Sequence, residues 1–161
     1  MIMNEQSLQS VADKVVKQIR ASQNVTLDTA LLLAEKIKHR ALDMGVRAVV
    51  AVSDNAGHPV LAECMDDSYI ASYDIAVNKA FTAVSLKMST ASLKPMAQPG
   101  GSLYGIQFTN QGKIVIFGGG EPLKNSTGKI IGGLGVSGGS EEQDTALAAY
   151  GKEIFEKGKY L

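Results

Sequence analysis

The sequence holds one cysteine, Cys64, two histidines, His39 and His58, and no tryptophan. A single thiol excludes an internal disulfide framework and any multi-cysteine zinc or iron–sulfur centre. Two histidines exclude a histidine-rich metal site. Neither sign of charge is in excess: 16 basic residues meet 16 acidic ones, and no Lys/Arg cluster offers a face for nucleic acid. No apolar run reaches the roughly 18 residues that a membrane helix needs. The first twenty residues carry acids and amides where a secretory leader has an unbroken apolar core. Together these absences point to a cytoplasmic protein that meets neither membrane nor nucleic acid. What remains is ordinary. A chain of 161 residues, 45% hydrophobic, is expected to form one main domain without a covalent staple.

Leu8, Val11, Val15 and Ile19, widened by Val16, line one side of a short amphipathic helix whose other side is Gln9, Asp13, Lys14, Lys17 and Gln18. Ser22-Gln23-Asn24 follows as a polar linker. Residues 1–22 are therefore expected to be an appendage, and residues 23–161 the domain proper. Thr26 caps a second helix, with Asp28 in its positive first turn and Leu27, Ala30, Leu31, Ala34, Ile37 and Ala41 as its buried stripe. Gly45 stops it. Arg47 to Ser53 and Pro59 to Cys64 form a hairpin around the Asp54-Asn55-Ala56-Gly57 turn.

A third helix starts from a cap at Asp67 or Ser68 and runs to about Leu86, with Ile75, Ala76, Lys79, Ala80 and Ala83 on related faces. Ser89 or Thr90 opens a short helix that Pro95 and the Gln98-Pro99-Gly100-Gly101 loop end. Three further strands are expected: Lys113 to Phe117, Glu121 to Leu123, and Lys129 to Val136. Ser140 caps the last helix, whose acids come first and whose lysines come last, in keeping with the helix dipole. This order of elements predicts an antiparallel α+β domain.

Glycine gathers in the last third, as Gly118-Gly119-Gly120 and as Gly132-Gly133-Leu134-Gly135-Val136-Ser137-Gly138-Gly139. Such runs let backbone amides approach an anion or a flat ligand. They also shape strand ends, bulges and tight turns. Gly133-x-Gly135-x-x-Gly138 matches a dinucleotide fingerprint in letters, but it lacks the βαβ context. Asp54, Asp66, Asp67 and Asp74 are candidate acid–base carboxylates, although turns and helix starts favour carboxylates for capping alone. No nucleophile elbow surrounds Ser53, Ser137 or Cys64. His39 lies on the more polar side of the second helix. It reads either as a surface histidine favoured by the helix C-terminus or as an axial haem ligand.

The segments Ala51 to Val60 (AVSDNAGHPV), Asn78 to Ala83 (NKAFTA), Gly118 to Leu123 (GGGEPL) and Ile131 to Gly139 (IGGLGVSGG) occur in this order, with Gln143-Asp144 after the last. They resemble the GlcG/HbpS family, also called the haem-degrading domain family, which includes the C-terminal domain of PduO-type corrinoid adenosyltransferases. The resemblance covers about Val25 to Phe155. It implies a profilin-like α/β/α fold with an antiparallel five-stranded sheet, usually in homo-oligomers, and haem as cofactor. Thr90 resembles the family threonine that opens the short helix after the NKAFTA segment, and His39 lies on the first core helix, where a ligand to haem iron sits in this reading. Gly119 and Gly133, one from each glycine run, are the backbone positions expected against the macrocycle. Cobalamin adenosylation is not implied, because the resemblance reaches only the C-terminal part of those enzymes.

Residues 1–22 in turn resemble the encapsulation peptides that dock cargo onto bacterial microcompartment shell proteins. A lone helix this short is marginal in water and gains stability by burying its stripe on a partner or on its own domain. The expected function is an oligomeric haem- or tetrapyrrole-binding accessory protein, as microcompartment cargo linked to diol or corrinoid metabolism. The alternatives are an enzyme or accessory subunit acting on a small hydroxy or carbonyl metabolite through Asp54 or Asp66, and a ligand-free oligomeric scaffold.

Overall fold

Thr26 holds extended backbone (φ −83°, ψ 159°), and its hydroxyl accepts a hydrogen bond from the Thr29 N–H at 3.2 Å. That cap starts helix α2 (Leu27–Asp43), which buries Ala30, Leu33, Ala34, Ile37 and Ala41. In the computed structural model residues 5–159 are described, apart from the side chains of residues 5 and 17–22. Ahead of α2 lies α1 (Glu5–Gln23); after it come β1 (Val49–Asp54), β2 (Pro59–Cys64), α3 (Ile70–Ser85) and α4 (Thr90–Ala97). Two single 3-10 turns lead to β3 (Gly120–Lys124), β4 (Ile130–Ser137) and α5 (Glu141–Glu156).

The four strands form one antiparallel sheet in the order β2-β1-β4-β3. β1 is central and covered on both sides, so its run Val49-Val50-Ala51-Val52 is apolar without alternation. On one side Val50, Val52, Leu134 and Val136 meet Leu33, Ile37, Leu147 and Ala148 of α2 and α5. On the other, Val49 and Ala51 meet Ala76 of α3. There α3 lies almost on the backbone of β4. A Cβ built on Gly135 would stand 1.9 Å from the Ala76 carbonyl oxygen, and one on Gly133 2.3 Å from that of Ala80.

The α+β class with an antiparallel sheet matches the expectation, but the sheet has four strands rather than five. The missing one is Lys113 to Phe117. Its Val115 N–H donates to the Thr82 hydroxyl of α3 at 3.0 Å, and its Lys113 carbonyl lies 3.2 Å from the same hydroxyl. The segment therefore spends its backbone groups on a helix side chain, and β3 remains the edge of the sheet. The start of α3 also differs. Asp67 adopts φ 62° in the turn where the Ser68 N–H bonds the Met65 carbonyl, so Tyr69 takes the cap position without a side-chain bond. α4 is capped by Ser89 and passes through Pro95 to end at Ala97.

α1 leaves its apolar stripe uncovered: Leu8, Val11, Val15 and Val16 are between 45% and 54% exposed. The side chain of Ile19, the fourth member of the expected stripe, lies outside the described residues. At its end α1 is tied to the β1–β2 turn. The Asn55 side-chain amide donates to the Gln23 carbonyl at 3.0 Å, and the Asn55 N–H donates to Asn24 Oδ1 at 3.0 Å.

Candidate functional site

Two places concentrate chemistry. The first is a buried polar knot where α3, the glycine run and the start of α5 converge. Lys79 sits in the alanine stripe of α3 and is fully buried. Its Nζ donates to the Val136 carbonyl at 2.8 Å and to Asp144 Oδ2 at 2.9 Å, 4.9 Å from the centre of the Phe117 ring. Burial pushes the Lys79 ammonium below its ordinary pKa, against the opposing hydrogen bond and charge of Asp144. The other Asp144 oxygen accepts from the Gly139 N–H at 2.9 Å.

Gly118 and Gly120 are fixed on either side of Gly119. The Gly118 N–H donates to Glu141 Oε1, and the Gly120 N–H donates to the Thr90 hydroxyl, each at 2.9 Å. The Gly118 amide and then Lys94 hold the Glu141 carboxyl below its usual range. Gly119 has φ 110°, and a Cβ there would come within 2.7 Å of both Lys79 Nζ and the Val136 carbonyl. A capping box, in which Ser140 and Gln143 bond each other's backbone, completes the start of α5.

The second place is the outer side of α2. His39 is exposed on a ridge between two clefts and, among the described residues, makes no hydrogen bond or ion pair. The larger cleft, about 620 Å³, runs between α2 and α5, with Lys36, Arg40 and Asp43 on one wall and Ala146 and Tyr150 on the other. The smaller, about 370 Å³, is bordered by Lys38, Leu42, Arg47, Cys64 and Met65. There Lys38 bridges Glu35 at 2.6 Å and Glu63 at 2.7 Å. Burial lowers the Lys38 pKa, but its two carboxylate partners outweigh that and raise it overall.

The structure does not bring the expected site residues together. His39 stands on the α2–α5 side of the sheet. Thr90 is fully buried on the α3 side, its hydroxyl taken by Gly120. Gly119 belongs to the polar knot, and Gly133 lies beneath α3. Asp54 Oδ1 accepts the backbone N–H groups of Ala56 and His58 at 2.8 and 2.9 Å, which is a turn-stabilising arrangement. Asp66 and Asp67 are exposed. No group of three or more His, Cys, Asp or Glu among the described residues is placed to hold a metal ion. No helix of the described residues is long and apolar enough to cross a membrane.

The Lys79–Asp144 pair was not anticipated. The one sign of it in the sequence is a lysine at a core position, between Ala76, Ala80 and Ala83.

A family model described as haem degrading protein HbpS-like matches residues 25–153. A 15.0 kDa protein from the dhaT-dhaS intergenic region of Citrobacter freundii is 45% identical over 131 residues, covering 81% of this chain and 92% of that one. The corrinoid adenosyltransferase PduO of the same organism is 38% identical over 149 residues, which make up 88% of this chain but only 44% of that protein. A solved PduOC:heme complex is 38% identical with a TM-score of 0.77, covering 81% of this chain and 94% of the other.

Proposed function

The chain belongs to the HbpS-like haem-degrading family, and from that premise we propose that it is a haem-binding accessory protein whose ligand to the iron is His39. The observation that carries this reading is the position of His39: exposed, between two clefts, and without a hydrogen bond or ion pair among the described residues. Histidine is a standard ligand to haem iron, and a bound haem would supply redox-active iron there. The surroundings fit a flat macrocycle. Met44, Ala146 and Tyr150 offer an apolar wall, and at about 620 Å³ the α2–α5 cleft lies within the roughly 300–1,000 Å³ range of small-molecule sites. Thr90 is less suited as a ligand: its hydroxyl is buried and accepts the Gly120 N–H. The related PduOC:heme complex supports the ligand class.

An absorption titration of the purified chain with haem, run beside cobalamin, tests the reading. We expect a saturable Soret shift with haem and a displaced or weakened band in His39→Ala. Saturation below one haem per chain would support a site shared between copies of a homo-oligomer. A flat haem titration would overturn the proposal and turn attention to a small metabolite near Asp54 or Asp66, or to scaffolding.

The uncovered stripe of α1 favours a second role. Residues 1–22 serve as a docking helix for a microcompartment shell protein, placing a cytoplasmic protein inside that compartment. Exposed Leu8, Val11, Val15 and Val16 supply the apolar contact. Removing residues 1–22 is expected to abolish co-purification with shell proteins and leave the melting transition of the domain in place. Retained co-purification would refute the role.

A further inference from the structure

We propose that the α2–α5 groove selects tetrapyrroles bearing free carboxylates, and that Lys36 and Arg40 receive those carboxylates beside His39. This rests on the haem reading and sharpens it to a substrate class. Lys36 and Arg40 are one turn apart on α2, and residues at that spacing are neighbours on a helix surface. His39 shares their flank, three residues after Lys36 and one before Arg40. All three border the same groove.

Neither Lys36 nor Arg40 makes an ion pair or a side-chain hydrogen bond among the described residues, although Asp43 and Tyr150 border the groove with them. The groove thus presents two unengaged cations against one carboxylate. The smaller cleft on the far side of His39 is different, because its Lys38 is already shared by Glu35 and Glu63. An arginine fork binds a carboxylate through two parallel hydrogen bonds, and a lysine binds it as a point charge. A porphyrin with two ionised carboxylates on one edge presents the complementary pattern. A corrin whose periphery is amides does not, so the same groove disfavours cobalamin.

The test compares haem with haem dimethyl ester, which keeps the iron and the macrocycle but neutralises both carboxylates. Both are titrated into the full chain and followed by the Soret band. Haem is expected to bind about tenfold or more tightly than the ester, as two charge-assisted contacts require. Replacing both cations (Lys36→Gln with Arg40→Gln) is expected to abolish that preference, so that haem and its ester bind alike. Iron-free protoporphyrin, followed by fluorescence quenching, is expected to depend on the two cations in the same way, since this contact does not pass through the iron.

Equal affinity of the unaltered chain for haem and its ester would overturn the inference and leave haem binding standing. So would loss of the preference in Arg47→Gln, which would place the carboxylates in the other cleft. Failure of both porphyrins to bind would overturn the haem reading itself, and this inference with it. Because Lys36 and Arg40 are exposed, the variants keep the fold, and the ester comparison needs no variant.

Discussion

On one side of the sheet, α2 and α5 meet β1 and β4 through large side chains, with Leu33, Ile37, Leu134 and Leu147 fully buried between them. On the other side α3 meets β1 through the small side chains of Ala51 and Ala76 and meets β4 backbone to backbone, with Gly133 and Gly135 beneath Ala80 and Ala76. The first contact is built from volume that neighbours can share. The second is built from the absence of volume, with carbonyl oxygens where a Cβ would be. The two sides therefore leave different room for function. Close docking brings α3 onto Gly133 and Gly135, whereas α2 and α5 leave a groove between them.

One side chain joins the two sides. Lys79 starts from α3 and ends on Asp144 of α5, and neither is more than 5% exposed at its side chain. The largest expected effect follows from cutting that link. Lys79→Met removes the cation and leaves the Asp144 carboxylate buried, which costs about 3–5 kcal/mol of stability. Asp144→Asn alone also destabilises, because Lys79 keeps its charge without a counterion. The double variant is expected to lose less than the sum of the two singles, as coupled partners do. Denaturant unfolding of the four proteins measures this. Additive losses would show that the pair does not hold the two sides together.

Legibility followed the same division. α2, the hairpin and α5 could be read from the sequence because their signals are local: the Thr26 and Ser140 caps, the Asp54 to Gly57 turn, and acids at the start of α5. Lys113 to Phe117 carries the β-branched run of a strand, yet it is settled by Thr82, a hydroxyl 33 residues away that captures the Val115 amide. Asp67 was a plausible cap in letters, but its φ of 62° places it in the preceding turn. α3 was legible as a helix, whereas its docking onto Gly133 and Gly135 was not. Among the candidate ligand positions, spacing gave the residue types but not the side of the sheet, so His39 and Thr90 looked compatible and are not neighbours. The Lys79–Asp144 pair spans 65 residues. No local pattern carries that information.

A matched pair of alanine substitutions separates the two kinds of contact. Leu33→Ala, on the α2 side, deletes buried atoms and leaves a cavity that α5 and β1 relax around only in part, costing about 2–5 kcal/mol. Gly135→Ala, on the α3 side, adds a single carbon where the Ala76 carbonyl oxygen is 1.9 Å away. Gly135 does not use positive φ, so its cost is steric rather than conformational. The clash is with backbone, which no rotamer change relieves. Either α3 lifts from β4 or the strand bends, and overpacking of this kind costs about 1–3 kcal/mol. The two variants also differ in what they do to Lys79, which lies in the same stretch of α3 as Ala76 and Ala80. Lifting α3 strains the bonds from Lys79 to Val136 and Asp144, while a cavity at Leu33 leaves them alone. Gly135→Ala combined with Lys79→Met is therefore expected to be non-additive, and Leu33→Ala combined with Lys79→Met additive to within about 0.5 kcal/mol. Additivity in both combinations would show that α3 absorbs the extra carbon locally, without passing strain to the pair.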